Sequence, residues 1–163
     1  MTKPNLVAYY SMTGNTRRIV DEVVGALHAD AEEIREPHPR HGLGGVLRAL
    51  FDAITRREPP IEPGRYDPAD YDLLVLSGPI WAGRLAAPVR SYARQHAGKA
   101  RRIAFVCTEG GRGGEQAFAE LSSLCGRTPD ATLEVTAEQI RNASYREAVQ
   151  RFASSLPPMK AAG

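Results

Sequence analysis

The stretch "NLVAYYSMTGNTRRIVDEVVGAL" (Asn5–Leu27) decides the fold, because its periodicity changes halfway along. Asn5 to Tyr10 is apolar on successive positions, which is how a strand buried on both faces of a parallel sheet reads. From there on the apolar residues Ile19, Val20, Val23, Val24 and Leu27 fall on one stripe of a helix. Between the two lie the hydroxyls of Ser11, Thr13 and Thr16, with Gly14 and Asn15 among them. A strand that passes through a short polar turn into a helix is the first half of a parallel crossover, and such turns are where open α/β sheets hold ligands.

The same alternation recurs along the chain. "LLVLS" (Leu73–Ser77) and "RIAFVC" (Arg102–Cys107) read as buried strands, while "AEEI" (Ala31–Ile34) and "ATLEV" (Ala131–Val135) alternate as edge strands do. Helical stripes follow at Val46, Leu47, Leu50, Phe51 and Ile54; at Leu85, Val89, Tyr92 and Ala93, with Pro88 in the first turn; at Phe118, Leu121 and Leu124; and at Tyr145, Val149, Phe152 and Leu156. Five repeats predict a three-layer α/β protein: a five-stranded parallel sheet in the order 2-1-3-4-5 with helices on both faces. One domain over residues 1–163 is expected from the length, with a proline-rich loop at Arg57–Asp72 and a frayed tail at 157–163. The Val46–Ile54 stripe reads as core, and its surroundings offer an overhang of the site or a dimer contact.

Composition closes off several classes of function. A net charge of +2 with both signs scattered provides no basic stripe, so no nucleic-acid partner is expected. No apolar run reaches membrane-spanning length and the first residues lack a secretory pattern, which predicts a cytoplasmic protein with no membrane partner. Cys107 and Cys125 sit in no C-x-x-C and read as core residues, and His28, His38, His41 and His96 have no ligand spacing and read as surface, so no metal is expected.

Three loops beyond the carboxyl ends of the central strands should carry the function. The first, Ser11-Met12-Thr13-Gly14-Asn15-Thr16, precedes a helix starting near Arg17 that Asn15 or Thr16 can cap. Unpaired N–H groups and the helix dipole suit it to an anion, most simply a phosphate; the plainer reading is a turn that only caps its helix. It is neither a G-x-x-x-x-G-K-[ST] loop nor a G-x-G-x-x-G fingerprint. The second loop, Ser77–Val89, contains the only tryptophan, Trp81, placed either to stack on a flat ligand or to lid the core. In the third, Cys107–Phe118, the glycines at 110, 111, 113 and 114 let backbone N–H groups approach a ring edge, or form a plain connector. Cys107 and Arg112 stand one residue too close for the Cys-x5-Arg loop of tyrosine phosphatases.

Taken together, the three loops resemble the flavodoxin family, whose members bind FMN. Ser11 to Thr16 matches its T/S-x-T-G-x-T phosphate pattern throughout, and the likeness runs from Asn5 to about Leu156. The resemblance implies FMN as cofactor, its phosphate held by Ser11, Met12, Thr13, Gly14, Asn15 and Thr16. It places the ring between Pro79, Ile80, Trp81, Ala82 and Gly83 on one side and Thr108, Glu109, Gly110, Gly111 and Gly113 on the other. The peptide near Ala82 and Gly83 would face the flavin N5, and backbone donors of the third loop its pyrimidine edge. Arg112 points inward, next to the reduced ring, or out into solvent. The function implied is electron carriage through a non-covalent flavin to a redox partner protein or a small-molecule donor or acceptor, by a monomer or homodimer.

Two departures stand out. Electron-carrying flavodoxins are strongly acidic and cover the second ring face with a tyrosine, whereas this chain is slightly basic and Cys107–Gly114 has no aromatic residue. The related NAD(P)H:quinone oxidoreductases, with a similar glycine-rich third loop, are the alternative; a flavin-free binding module is a third reading. A phosphoacceptor receiver is excluded, since Tyr9, Tyr10, Ser11 and Ser77 stand where its aspartates belong.

Overall fold

A computed structural model describes residues 3–158. The elements run β1 (Lys3–Tyr9), α1 (Asn15–Leu27), β2 (Asp30–Glu33), α2 (Gly42–Ile54), β3 (Tyr71–Trp81), β4 (Arg84–Leu85), α3 (Ala87–His96), β5 (Arg102–Glu109), α4 (Gly114–Cys125), β6 (Thr132–Thr136), α5 (Ala137–Arg141) and α6 (Tyr145–Ser155), with short 3-10 turns at Pro68–Asp70 and Ala97–Lys99. The sheet order is β2-β1-β3-β5-β6, all parallel, and the two-residue β4 adds antiparallel to the end of β3. This is the expected order of five parallel strands, with β4 as the one addition.

Both faces of the central strands are buried, and the strand period of two sorts them. Leu6, Leu74, Leu76, Ile103 and Phe105 point to one side, where Val89, Tyr92 and Leu121 of α3 and α4 cover them. Val7, Val75, Ala104 and Val106 point to the other, under Ile19, Val20 and Val23 of α1 and Val149 and Phe152 of α6. Pairing of Leu6 with Leu74 and of Leu74 with Ile103 keeps each set on its own side. Cys107 and Cys125 are buried in the first of these layers, and burial pushes both thiols up, Cys125 to about 11.

Several expectations are corrected. The third strand runs well past Ser77, because its carboxyl half pairs with β5 through Gly78–Cys107 and Pro79–Thr108 after β1 has ended. Helix α1 starts at Asn15 rather than near Arg17. His96 is half-buried against Tyr92 and not a surface residue. Of the tail, Pro157 accepts a hydrogen bond from Arg102 at 2.9 Å, and residues 159–163 lie outside the described residues.

The largest correction concerns α2. Its apolar stripe faces solvent: Leu43 is 77% exposed and Val46, Leu47, Phe51 and Ile54 between 43 and 60%. The buried face consists of Gly45, Ala49, Asp52 and Ala53. The reason lies beneath the helix, where Arg40 donates from Nε and Nη2 to Glu36 at 2.7 and 2.8 Å and from Nη2 to Asp52 at 2.9 Å. Arg40 is 1% exposed, and Tyr10 donates to the same Glu36 at 3.3 Å. Three buried charges are accommodated only when each has its partners, so Asp52 must face inward and the stripe opposite it turns out.

Candidate functional site

The loops after β1 and β3 leave toward opposite faces of the sheet, α1 on one side and α3 on the other. This divergence opens a hollow beyond the strand ends, the usual ligand position in such sheets. Met12, Thr13, Asn15, Thr16, Pro79, Ile80, Trp81, Thr108, Glu109 and Gly110 line it, together with Ala137 and Ile140. It is half-open, with a volume of about 130 Å³. A groove of about 390 Å³ lined by Arg56, Arg84, Arg90 and Arg94 is larger, but it lies along the flanks of α3 and α4, away from the strand ends.

The first loop is shaped by one glycine and one serine. Gly14 caps α1 with φ 88°, a conformation other residues rarely adopt. The Ser11 hydroxyl accepts from the N–H groups of Gly14 at 3.2 Å and Arg17 at 3.3 Å, while Arg18 N–H donates to the Gly14 carbonyl. Neither Asn15 nor Thr16 acts as a side-chain cap, so the sequence expectation on that point is corrected. The N–H groups of Asn15 and Thr16, first in the helix, have no acceptor from the helix itself. Thr13 is exposed and lines the hollow. Thr16 is buried and shares a 2.8 Å hydrogen bond with the Thr108 hydroxyl, tying the first loop to the third.

Trp81 ends β3, half-buried, and meets Tyr10 edge-on with ring centroids 6.0 Å apart at 86°. Burial and the Glu36 carboxylate push the Tyr10 phenol up to about 12, so it stays a neutral donor. After Trp81 the chain reverses at Ala82 (φ 49°) and Gly83 (φ 72°), two left-handed residues of a tight hairpin into β4. Gly113, with φ 127°, packs so closely on this hairpin that a β-carbon there would lie 2.7 Å from the Gly83 Cα. The second and third loops therefore touch, and the third shrinks to residues 110–113 between β5 and α4.

Of the sixteen residues named from the sequence, ten line the hollow, and Ser11, Gly14, Ala82, Gly83, Gly111 and Gly113 do not. Arg112 is exposed. Sequence reasoning missed Ala137 and Ile140 of α5. Their signal was the T-x-x-Q of Thr136 and Gln139, which form a capping box.

Glu109 is the one acidic group at the hollow, and it is 7% exposed. It lies beside the Glu134 carboxyl of β6 and near the Gly114 N–H at the start of α4, while its Oε2 has no partner among the described residues. Burial and the Glu134 carboxyl push it from 4.5 up to about 7. The folded chain thus keeps this proton where the unfolded chain, near pH 4.5, has released it. Stability is expected to fall as pH rises between about 4.5 and 7, and Glu109→Gln to flatten that slope in thermal melts; an unchanged slope would remove the carboxyl pair as its source.

An open parallel sheet in this order, with helices on both faces, defines a flavodoxin-like fold. Among solved structures, the chain is similar to a flavoprotein in complex with FMN from Lactobacillus acidophilus (TM-score 0.71, 18% identity, 88% of this chain and 99% of that one). A flavoprotein from Bacteroides uniformis (TM-score 0.78, 18% identity, 94% and 99%) and the two-electron reduced flavodoxin of Megasphaera elsdenii (TM-score 0.56, 18% identity, 92% and 98%) share the fold as well. Neither a protein-family model nor a curated relative matches the sequence.

Proposed function

We propose that the chain is an FMN-binding redox protein that carries electrons between a donor and an acceptor in the cytoplasm. The observation that carries this reading is the Thr16–Thr108 bond, which joins a phosphate-type loop to a glycine-rich loop around one hollow flanked by Trp81. Similarity in fold to a flavoprotein complexed with FMN and to a flavodoxin supports it.

The residues suit the group. Thr13, the Thr16 and Asn15 N–H groups and the positive end of α1 would hold a phosphate, each contact contributing about 0.3–3 kcal/mol. The hollow's 130 Å³ is less than the roughly 300 Å³ of a small-molecule pocket. A three-ring ligand would therefore lie partly over the rim, between Trp81 and the bare glycines at 110 and 111. Bound flavin supplies the reversible uptake of electrons. The protein's part is to orient the ring edge toward the Ala82–Gly83 peptide and to keep a carboxyl proton at Glu109 nearby. A potentiometric titration of the FMN-loaded protein tests the carrier reading: a one-electron Nernst slope is expected, and a two-electron slope with rapid NAD(P)H oxidation would replace it by the quinone-reductase reading.

A further inference from the structure

Among the described residues the large exposed apolar side chains all lie on the outward face of α2, which the hollow leaves unused. Leu43, Val46, Leu47, Phe51 and Ile54 follow one another at helical spacing and are all exposed. They form a single ridge, since the face beneath contains only Gly45, Ala49, Ala53 and Asp52 and lies close on the body.

The charge around the ridge has one sign. Between Pro37 and Arg57 the only carboxylate is Asp52, buried against Arg40, whereas Arg48, Arg56 and Arg57 are exposed along the flank and the C-terminal end. The Arg57 guanidinium lies 5.1 Å over the Phe51 ring, at the edge of the apolar surface. Arg84 and Arg94 continue the cationic area on β4 and α3, where Glu58 is already bonded to Arg94 at 3.1 Å and Glu120 to Arg90 at 2.6 Å. Arg48 lies 3.8–3.9 Å from the carboxylates of Asp52 and Glu36, which Arg40 already neutralises.

We propose that this face docks the protein on an anionic lipid surface, the ridge seated at the headgroup boundary and Arg48, Arg56 and Arg57 set against lipid phosphates. An apolar helical face bordered by arginines is the pattern of interfacial helices, and a convex ridge suits a deformable acceptor. A second copy fits less well. Antiparallel pairing of two α2 helices would bring Arg48 toward its mate and Arg56 and Arg57 toward the positive end of the facing helix. One helix ridge also offers on the order of several hundred Å², short of the ~800 Å² per partner of a stable interface. No helix among the described residues is long and apolar enough to cross a membrane, so the contact is peripheral.

The test is co-sedimentation of the full chain with vesicles of phosphatidylcholine containing roughly one-third phosphatidylglycerol, against vesicles of phosphatidylcholine alone. Binding to the anionic vesicles that weakens with salt is expected, with partitioning at least about tenfold lower on the neutral ones. Arg48→Gln, Arg56→Gln and Arg57→Gln together should lower it about a hundredfold. Leu47→Asp with Phe51→Asp should abolish it while thermal melts, and FMN binding where present, stay unchanged, because both residues are exposed. Equal binding to both vesicles, no binding to either, or undiminished binding by the Leu47→Asp, Phe51→Asp variant would overturn the proposal. So would a salt-stable dimer that this variant disperses, which would assign the ridge to a second copy.

Discussion

Valine at both Thr13 and Thr16 is expected to weaken FMN binding at the proposed site. Thr13→Val replaces a hydroxyl by a methyl of the same shape and removes a hydrogen bond to the proposed phosphate worth about 1.5–3 kcal/mol, whereas Thr16→Val keeps its backbone N–H but removes the 2.8 Å bond to Thr108 that holds the first loop against the third. The first loss raises the dissociation constant by roughly 10–10², and the second adds to it by loosening the contact between the two loops. The two positions differ in what else they do. Thr13 is exposed, so Thr13→Val alone should weaken binding by about tenfold or more with melting unchanged. Thr16 is buried on Thr108, so Thr16→Val also leaves the Thr108 hydroxyl without its partner and costs about 1–3 kcal/mol of stability. Fluorescence titration with FMN and thermal melts separate the two effects. Wild-type affinity in the doubly substituted, folded protein would remove the first loop from the phosphate site.

Arg40→Met should have the largest effect on stability. Its side chain is 1% exposed and bridges Glu36 and Asp52, which are themselves buried. Without the guanidinium two carboxylates stay together in the interior, and breaking a buried pair in this way costs about 3–5 kcal/mol. For a chain of this size that corresponds to a fall in melting temperature of roughly 10 °C. Because the charges anchor α2 from below, the loss should be felt first in that helix and in the Glu36 bond to Tyr10. Adding Glu36→Gln and Asp52→Asn should recover much of it, since the interior then holds no unpaired charge. A melting temperature equal to the wild type's in Arg40→Met would show that the network contributes nothing.

The sheet was legible in the sequence because burial on both faces leaves an unmistakable mark. Runs such as Leu6–Ala8 and Ile103–Val106 have no polar residue to place on any side, and only a central parallel strand tolerates that. The turn of the first loop was legible for a similar reason: Gly14 stands where the chain must turn left-handed ahead of α1, with Ser11 in reach of its N–H groups. What stayed hidden depends on contacts between distant segments. The α2 stripe has the spacing of a core helix, and nothing local reveals that Arg40 and Glu36 draw Asp52, and with it the opposite face, inward. The extension of β3 through Pro79 and Trp81 rests on its pairing with β5, and β4 on the left-handed turn at Ala82 and Gly83. The Glu109–Glu134 contact arises from the β5–β6 register, which sets Glu134 opposite Cys107. Helix α5 has a readable local sign, the capping box at Thr136.

The proposed site, the hollow at the ends of β1, β3 and β5, would hold a flavin by its phosphate. Titration of the purified chain with FMN and, separately, with riboflavin, which lacks the phosphate, tests it most directly. The expected result is one FMN per chain with quenched flavin fluorescence, and riboflavin bound at least about a hundredfold more weakly. No binding of FMN, or equal binding of the two, would contradict it.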